Sequence, residues 1–151
     1  MRDRLDALLD EYRHTLLTCL DGLTEEEARA RLVPSKTTLL GLVKHATFVE
    51  GVWFDQALTG RTYKAIGIPS SPDRSFTLIA SDTIRSVQDA YRRRCDASRG
   101  AMARLPLDAE VSGRGPRPVW ALLVQVLREL AQHAGHADIL RELVLARRAD
   151  S

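Results

Sequence analysis

The sequence predicts an all-α protein, a four-helix bundle with a long connection between its second and third helices. Apolar residues recur at helical spacing in four long segments. No segment shows the convincing alternation of apolar and polar residues that is typical of a β-strand. Four long helices joined by two longer connections favour a bundle, and a chain of 151 residues is expected to form a single domain over residues 1–151.

The first predicted helix covers about residues 3–20, where leucines recur on one face. A short helical turn follows. It opens at Thr24, with Glu27 three residues later as in a capping box, and it is broken by Pro34.

The second predicted helix covers about residues 38–58 and ends at a glycine. Residues 60–80 are rich in Gly, Pro and Ser and form the longest irregular stretch. Serine and aspartate then open the third helix, over about residues 81–105. After a tight connection, the fourth helix runs from Pro118, in its first turn, to about residue 146.

The most informative motif lies in the fourth helix and reads Glu129-Leu-Ala-Gln-His133-Ala-Gly-His136. Positions i, i+4 and i+7 share one face of a helix, so one carboxylate and two imidazoles lie on a stripe that is otherwise apolar. Ionisable groups on a buried face are unfavourable without partners. A divalent metal is the partner that best fits a Glu and a His one turn apart.

A third protein ligand is expected from His45, which shares an apolar face of the second helix with Leu42 and Val49. The candidate site is therefore His45, Glu129 and His133, with His136 beside it. Simpler interpretations remain open at this point. The histidines can be core residues bonded to backbone carbonyls, and Glu129 can pair with an arginine.

Composition excludes several classes of function. The net charge is only +2, with acidic and basic residues interleaved, so we expect no nucleic-acid partner. No apolar run approaches the roughly 20 residues of a membrane span, so we expect no membrane partner. Cys19 and Cys95 are far apart and form no metal or redox motif. The charged N-terminus and the unpaired thiols favour a cytoplasmic protein.

Two segments, residues 39–54 and 126–143, resemble the signatures of helices two and four in the DinB-like superfamily. More narrowly, they are similar to an actinobacterial branch associated with mycothiol S-transferases, and the likeness covers nearly the whole chain. The resemblance implies a four-helix bundle with an atypical connection order. It also implies a divalent metal, most often zinc with nickel as the alternative, near one end of the bundle.

The resemblance also implies the ligands. The superfamily commonly uses one His from helix two and a His-x-x-x-His pair from helix four. Here Glu129 replaces the first His of that pair, as in the mycothiol-dependent maleylpyruvate isomerases, so the implied zinc ligands are His45, Glu129 and His133. Many relatives have Gln where His136 stands. Three roles therefore remain open for His136: a fourth metal ligand, a residue that contacts one of the ligands, or a residue that contacts the substrate.

The implied activity is the transfer of a low-molecular-weight thiol to a small electrophile, and mycothiol is the favoured thiol. A zinc ion lowers the pKa of a bound thiol, and His136 is the candidate catalytic base. Arg61, Arg114 and Arg117 are candidates for binding an anionic or sugar-bearing cosubstrate. The alternative function is a non-catalytic metal-binding or small-ligand-binding stress-response module. A helical partner-binding domain without metal is the least favoured interpretation.

We also expect a homodimer, because bundles of this size commonly associate. Its most plausible exposed aromatic surface consists of Trp53, Phe54 and Trp120, although the sequence is equally consistent with all three as core residues.

Overall fold

The structure is a computed structural model that describes residues 1–151, and it is mostly helical. The all-α prediction is confirmed. The four longest helices are α1 (Arg2–Thr18), α3 (Leu39–Gly51), α7 (Ile84–Met102) and α8 (Val119–Ala149). The short ones are α2 (Glu25–Ala28), α4 (Ala57–Thr59), α5 (Tyr63–Ile66) and α6 (Pro72–Ser75). None of these helices is both long and apolar enough to cross a membrane.

Helix α3 is the central element, and all of its residues except Lys44 and Thr47 are buried. It packs against α7 and α8, while α1 packs against α8. Thr38 caps its N-terminus by accepting a hydrogen bond from the backbone N–H of Gly41. The helix continues through a π-helical segment, Val52–Gln56, into α4. Gly60 ends it in the left-handed conformation, with φ of 73°.

A buried ion pair joins α1 to α3. The Nε atom of Arg13 lies 2.6 Å from Oε1 of Glu50, and its Nη2 atom lies 3.2 Å from Oε2. Arg13 is 4% exposed and Glu50 is 0% exposed. Burial alone lowers the pKa of Arg13, but the attraction and hydrogen bonds of Glu50 outweigh it and raise that pKa above its usual value. Arg13 therefore keeps its charge inside the core.

Some element boundaries differ from the sequence-based predictions. Residues 60–80 are not wholly irregular, because Thr62 and Ser71 each cap a one-turn helix, α5 or α6. Helix α7 begins after Thr83 rather than at Ser81, since Thr83 forms the capping box. Asp82 instead pairs with Lys44, at 2.7 Å. The short turn predicted at Thr24 is confirmed as α2, with both hydrogen bonds of its capping box present.

One local feature was not predicted. A two-residue antiparallel pair joins β1 (Glu110–Val111) to β2 (Arg117–Pro118) in the connection before α8. Such a pair is too short for alternation to reveal. Of the two alternatives for Phe54, exposed surface or core, the structure shows the core, because this side chain is 1% exposed, whereas Trp120 is 51% exposed.

Gly113 docks the β1–β2 connection against the end of the central helix. Its N–H donates to the carbonyl oxygen of Ala57 at 2.9 Å. A Cβ atom at this position would lie 2.1 Å from the carbonyl oxygen of Gln56, so no other residue fits without backbone movement. The next residue, Arg114, is thereby brought close to the helix that carries His45.

Candidate metal centre

Three side chains from two helices converge where α3 packs on α8. His45 comes from α3, and Glu129 and His133 come from α8. Each offers one ligand atom, and these atoms all lie within 4.8 Å of one another. The Nε2 atom of His133 lies 3.4 Å from Oε2 of Glu129, and the rings of His45 and His133 meet edge to face at 4.7 Å. The structure therefore brings together the three residues that the sequence selected.

His45 is held by the connection between α3 and α7. Its Nδ1 atom lies 2.6 Å from Oγ of Ser75, the last residue of α6. Its ring stacks on that of Phe76, with centroids 4.1 Å apart and planes 15° apart. The imidazole therefore has a fixed plane and one occupied nitrogen, and only Nε2 remains for another partner.

Glu129 is oriented by its own helix. The side-chain amide of Gln125, one turn earlier, donates to Oε1 of Glu129 at 3.3 Å. Arg128 is exposed and its nearest nitrogen lies 3.9 Å from Glu129, so this contact is a weak surface pair. The interpretation of Glu129 as the partner of a neighbouring arginine therefore finds little support.

Both imidazoles of this cluster are neutral at pH 7. Burial, followed by the nearby His133, lowers the pKa of His45 to about 4. Burial also lowers the pKa of His133, and His136 acts in the same direction, although Glu129 opposes the shift. A neutral imidazole keeps a lone pair for a metal, whereas a protonated one has none. One carboxylate and two neutral imidazoles form a donor set that suits a divalent transition metal.

A cavity of about 200 Å³ opens beside the cluster. Two of the three candidate ligands, His45 and Glu129, line this cavity. Its other walls include three aromatic side chains and a single cationic one, and these are Phe48, Trp53, Tyr63 and Arg114. A small molecule in this cavity can therefore contact the candidate ligands, aromatic faces and one guanidinium group.

A family model described as mycothiol-S-transferase matches residues 4–146. The chain belongs to the mycothiol S-transferase family. The match includes α3, α8 and all three candidate ligands. Comparison with curated proteins gave no match.

In this mycothiol S-transferase family member, Arg114 and Arg117 both lie against Trp53, at 5.1 and 5.2 Å from the ring centroid. Arg114 donates to the hydroxyl of Tyr63 at 2.9 Å and to the side chain of Gln56. The Nη2 group of Arg117 donates to the carbonyl oxygen of Arg114, and its Nε is buried without a partner. Neither guanidinium group is paired with a carboxylate.

Arg61 has a different environment. It forms an ion pair with Asp55 at 3.0 Å and donates to the carbonyl oxygen of Ala65 at 2.8 Å. It does not line the cavity beside His45 and Glu129. Its role in binding a cosubstrate stays a prediction, as do the roles of Arg114 and Arg117.

His136 lies next to the cluster but on the surface. Its ring centroid is 5.5 Å from that of His133. It lines a different cavity of about 240 Å³, together with Val33, Ser35 and Thr37 from the segment before α3. The structure therefore does not include it among the three converging ligands, and its catalytic role stays a prediction.

Neither cysteine is suited to nucleophilic attack. Cys19 and Cys95 are both buried and unpaired. Burial is the main cause that raises the pKa of each thiol to about 12, so the reactive thiolate is scarce at neutral pH.

Three residues around His45 and Glu129 were not identified from the sequence. Gln125 had a usable signal, because it precedes Glu129 by one helical turn. Ser75 and Phe76 had none, because they are 30 and 31 residues from His45 in a stretch without helical periodicity.

Proposed function

We propose that this protein is a metal-dependent thiol S-transferase that activates mycothiol, or a related low-molecular-weight thiol, for attack on a small electrophile. The observation that carries the proposal is the convergence of His45, Glu129 and His133 beside a cavity, in a chain of the mycothiol S-transferase family. We also propose that the helical chain is a DinB-like four-helix bundle built as one domain over residues 1–151.

The three residues fit a divalent metal, and we propose zinc, with nickel as the alternative. Ligands about 2.1 Å from a tetrahedral ion lie about 3.4 Å apart, which is also the separation of His133 Nε2 and Glu129 Oε2. When bound, the ion would supply Lewis acidity that lowers the pKa of a coordinated thiol.

Charge supports the same chemistry. Glu129 carries one negative charge, whereas the two imidazoles are neutral. The cluster together with a dication thus has a net charge of +1, which favours an anionic thiolate over a neutral thiol. If a third neutral histidine replaced Glu129, the net charge of the three ligands and the dication would be +2.

We assign the remaining residues by their positions. Arg114 lies in the cavity wall without a carboxylate partner, so we propose that it binds a polar or anionic group of the thiol or of the electrophile. Arg117 supports it through Trp53 and through the carbonyl oxygen of Arg114. Arg61 is a weaker candidate, because Asp55 neutralises it. We propose that His136, beside His133, accepts the thiol proton.

The decisive experiment combines metal analysis with a conjugation assay. Protein purified without an affinity tag is loaded with zinc or nickel, and mycothiol consumption is followed across a panel of electrophiles. Turnover that requires both metal and thiol is expected. Metal binding without mycothiol binding or thiol-dependent turnover would overturn the transferase proposal and favour a metal-binding module.

We further propose that the protein is a homodimer. Trp120 and Val124, on one face of α8, are 51% and 45% exposed. Sedimentation at micromolar concentration tests this, and a monomer there would contradict it.

A further inference from the structure

The hydroxyl group of Ser75 has two partners within hydrogen-bond distance. Its Oγ lies 2.6 Å from Nδ1 of His45 and 2.5 Å from the carbonyl oxygen of Pro72. Ser75 is 0% exposed and His45 is 5% exposed, so bulk water does not compete for these contacts. The directions of both hydrogen bonds therefore follow from the partners alone.

A serine hydroxyl has one proton, and a carbonyl oxygen can only accept. The O–H of Ser75 must therefore donate to Pro72, because the opposite assignment would place two lone pairs against each other. The Oγ atom then accepts the second hydrogen bond, which requires a proton on Nδ1 of His45. A neutral imidazole has only one ring proton, so Nε2 carries the free lone pair.

We infer that Ser75 is a positioning residue that holds His45 in its Nδ1-protonated tautomer and so reserves Nε2 as the metal ligand. This inference rests on the proposed function only in taking His45 as a ligand. Hydrogen bonds from the second nitrogen of a ligating histidine commonly fix its tautomer and strengthen metal binding. Here the acceptor is a neutral hydroxyl that is itself polarised by a backbone carbonyl.

The same short segment also fixes the orientation of the ring. Pro72 is the first residue of α6, Ser75 is its last, and Phe76 caps its C-terminus. Because Phe76 stacks on His45, rotation of the imidazole to exchange its two nitrogens would have to break this stack and the hydrogen bond together. The connection over residues 60–80 thus fixes the His45 ring and also lines the cavity through Tyr63 and Pro72.

The first test uses the unaltered, metal-free protein. Long-range ¹⁵N–¹H NMR spectra of the histidine rings at pH 7.5 should show His45 with a protonated Nδ1 and an unprotonated Nε2. A spectrum with the proton on Nε2, or with both tautomers populated, would overturn the inference. This measurement requires neither metal nor thiol, so its result is independent of whether the transferase proposal holds.

The second test compares Ser75→Ala with Ser98→Ala by zinc titration against a chelating indicator. Ser98 is a matched control, because it is 1% exposed and its hydroxyl has no hydrogen-bond partner. Ser75→Ala should weaken zinc binding ~10–100-fold, since His45 loses the acceptor for its Nδ1 proton. Ser98→Ala should change it by less than about twofold, because no hydrogen bond is lost.

Equal effects of the two substitutions, or no effect of Ser75→Ala, would overturn the inference. So would a failure of the unaltered protein to bind either zinc or nickel, because His45 would then have no ligand role. Ser75→Thr retains the hydroxyl group and should bind zinc more tightly than Ser75→Ala. The visible spectrum of the cobalt-loaded protein gives a second readout, which should change in Ser75→Ala and not in Ser98→Ala.

Discussion

Glu129 and His133 lie one helical turn apart on α8, with Oε2 of the first 3.4 Å from Nε2 of the second. Side chains at i and i+4 face the same way on any helix, so this half of the site requires only that α8 is helical. His45 completes the site from another helix, which makes the site depend on how α3 packs against α8.

His133→Ala should abolish zinc binding, with an affinity loss of more than ~100-fold, while leaving the helices intact. The apolar contacts of α8 do not depend on this side chain. Isothermal titration with zinc checks the loss of binding, and far-UV circular dichroism checks that the helices are retained. His14→Ala is the control, because His14 is exposed on α1 and outside the cluster. Equal zinc affinity in both variants would contradict the assignment.

Arg114→Gln should weaken binding of the thiol or of an anionic electrophile by ~10-fold or more, because a charged hydrogen bond is replaced by a neutral one. The effect should appear in KM rather than in metal content. Arg61→Gln, which removes a guanidinium group already paired with Asp55, is the control and should have a smaller effect. A larger loss for Arg61→Gln would reverse the roles proposed for these two arginines.

His136→Gln should retain the metal and lower kcat by ~100-fold if this side chain accepts the thiol proton. Steady-state kinetics, with metal content measured in parallel, check both parts of this prediction. An unchanged kcat would show that another group takes the proton.

Glu27 links the pH dependence of stability to the end of α8. The hydrogen bond from Arg148, at 2.5 Å, followed by that from the backbone of Thr24, lowers the pKa of Glu27 from 4.5 to about 2. Because the pKa of Glu27 is lower in the folded state than in the unfolded state, its ionised carboxylate stabilises the fold above pH 4.5. This stabilisation is lost as the pH falls toward 2.

Glu27→Gln should therefore be less stable than the parent protein at pH 7, and the difference should vanish between about pH 4.5 and 2. Glutamine at this position still serves the capping box of α2, so the substitution isolates the charge. Urea unfolding across this pH range is the measurement. A difference that persists at pH 2 would assign the effect to packing instead.

Glu50→Leu should destabilise the protein by about 3–5 kcal/mol, because it leaves the Arg13 charge buried with only Asp10 as a partner. The double variant Arg13→Met, Glu50→Leu should recover most of this loss, since no buried charge remains. Denaturant unfolding of both variants tests the pair. Additive losses in the double variant would show that the two side chains do not act as a unit.

Sequence reasoning succeeded where a feature depends on the spacing within one helix. Helix α8, the Glu129–His133 pair and the inward direction of His45 all follow from a period of 3.6 residues. Convergence of His45 with the pair depends on helix packing, and the family resemblance rather than the periodicity made it specific. The contacts of Ser75, Phe76 and Arg114 depend on how irregular connections fold back, and no local periodicity encodes that.

The Arg13–Glu50 pair also limits how the helices can be aligned. A slide of α1 by one turn along α3 would still bring apolar side chains together, because apolar residues recur along both helices. The same slide would separate the two charges by about 5 Å within the core, which is strongly unfavourable. The pair thus distinguishes one alignment from its neighbours. Variants that lack both charges should therefore recover most of the stability lost in Glu50→Leu and yet populate more than one arrangement of α1.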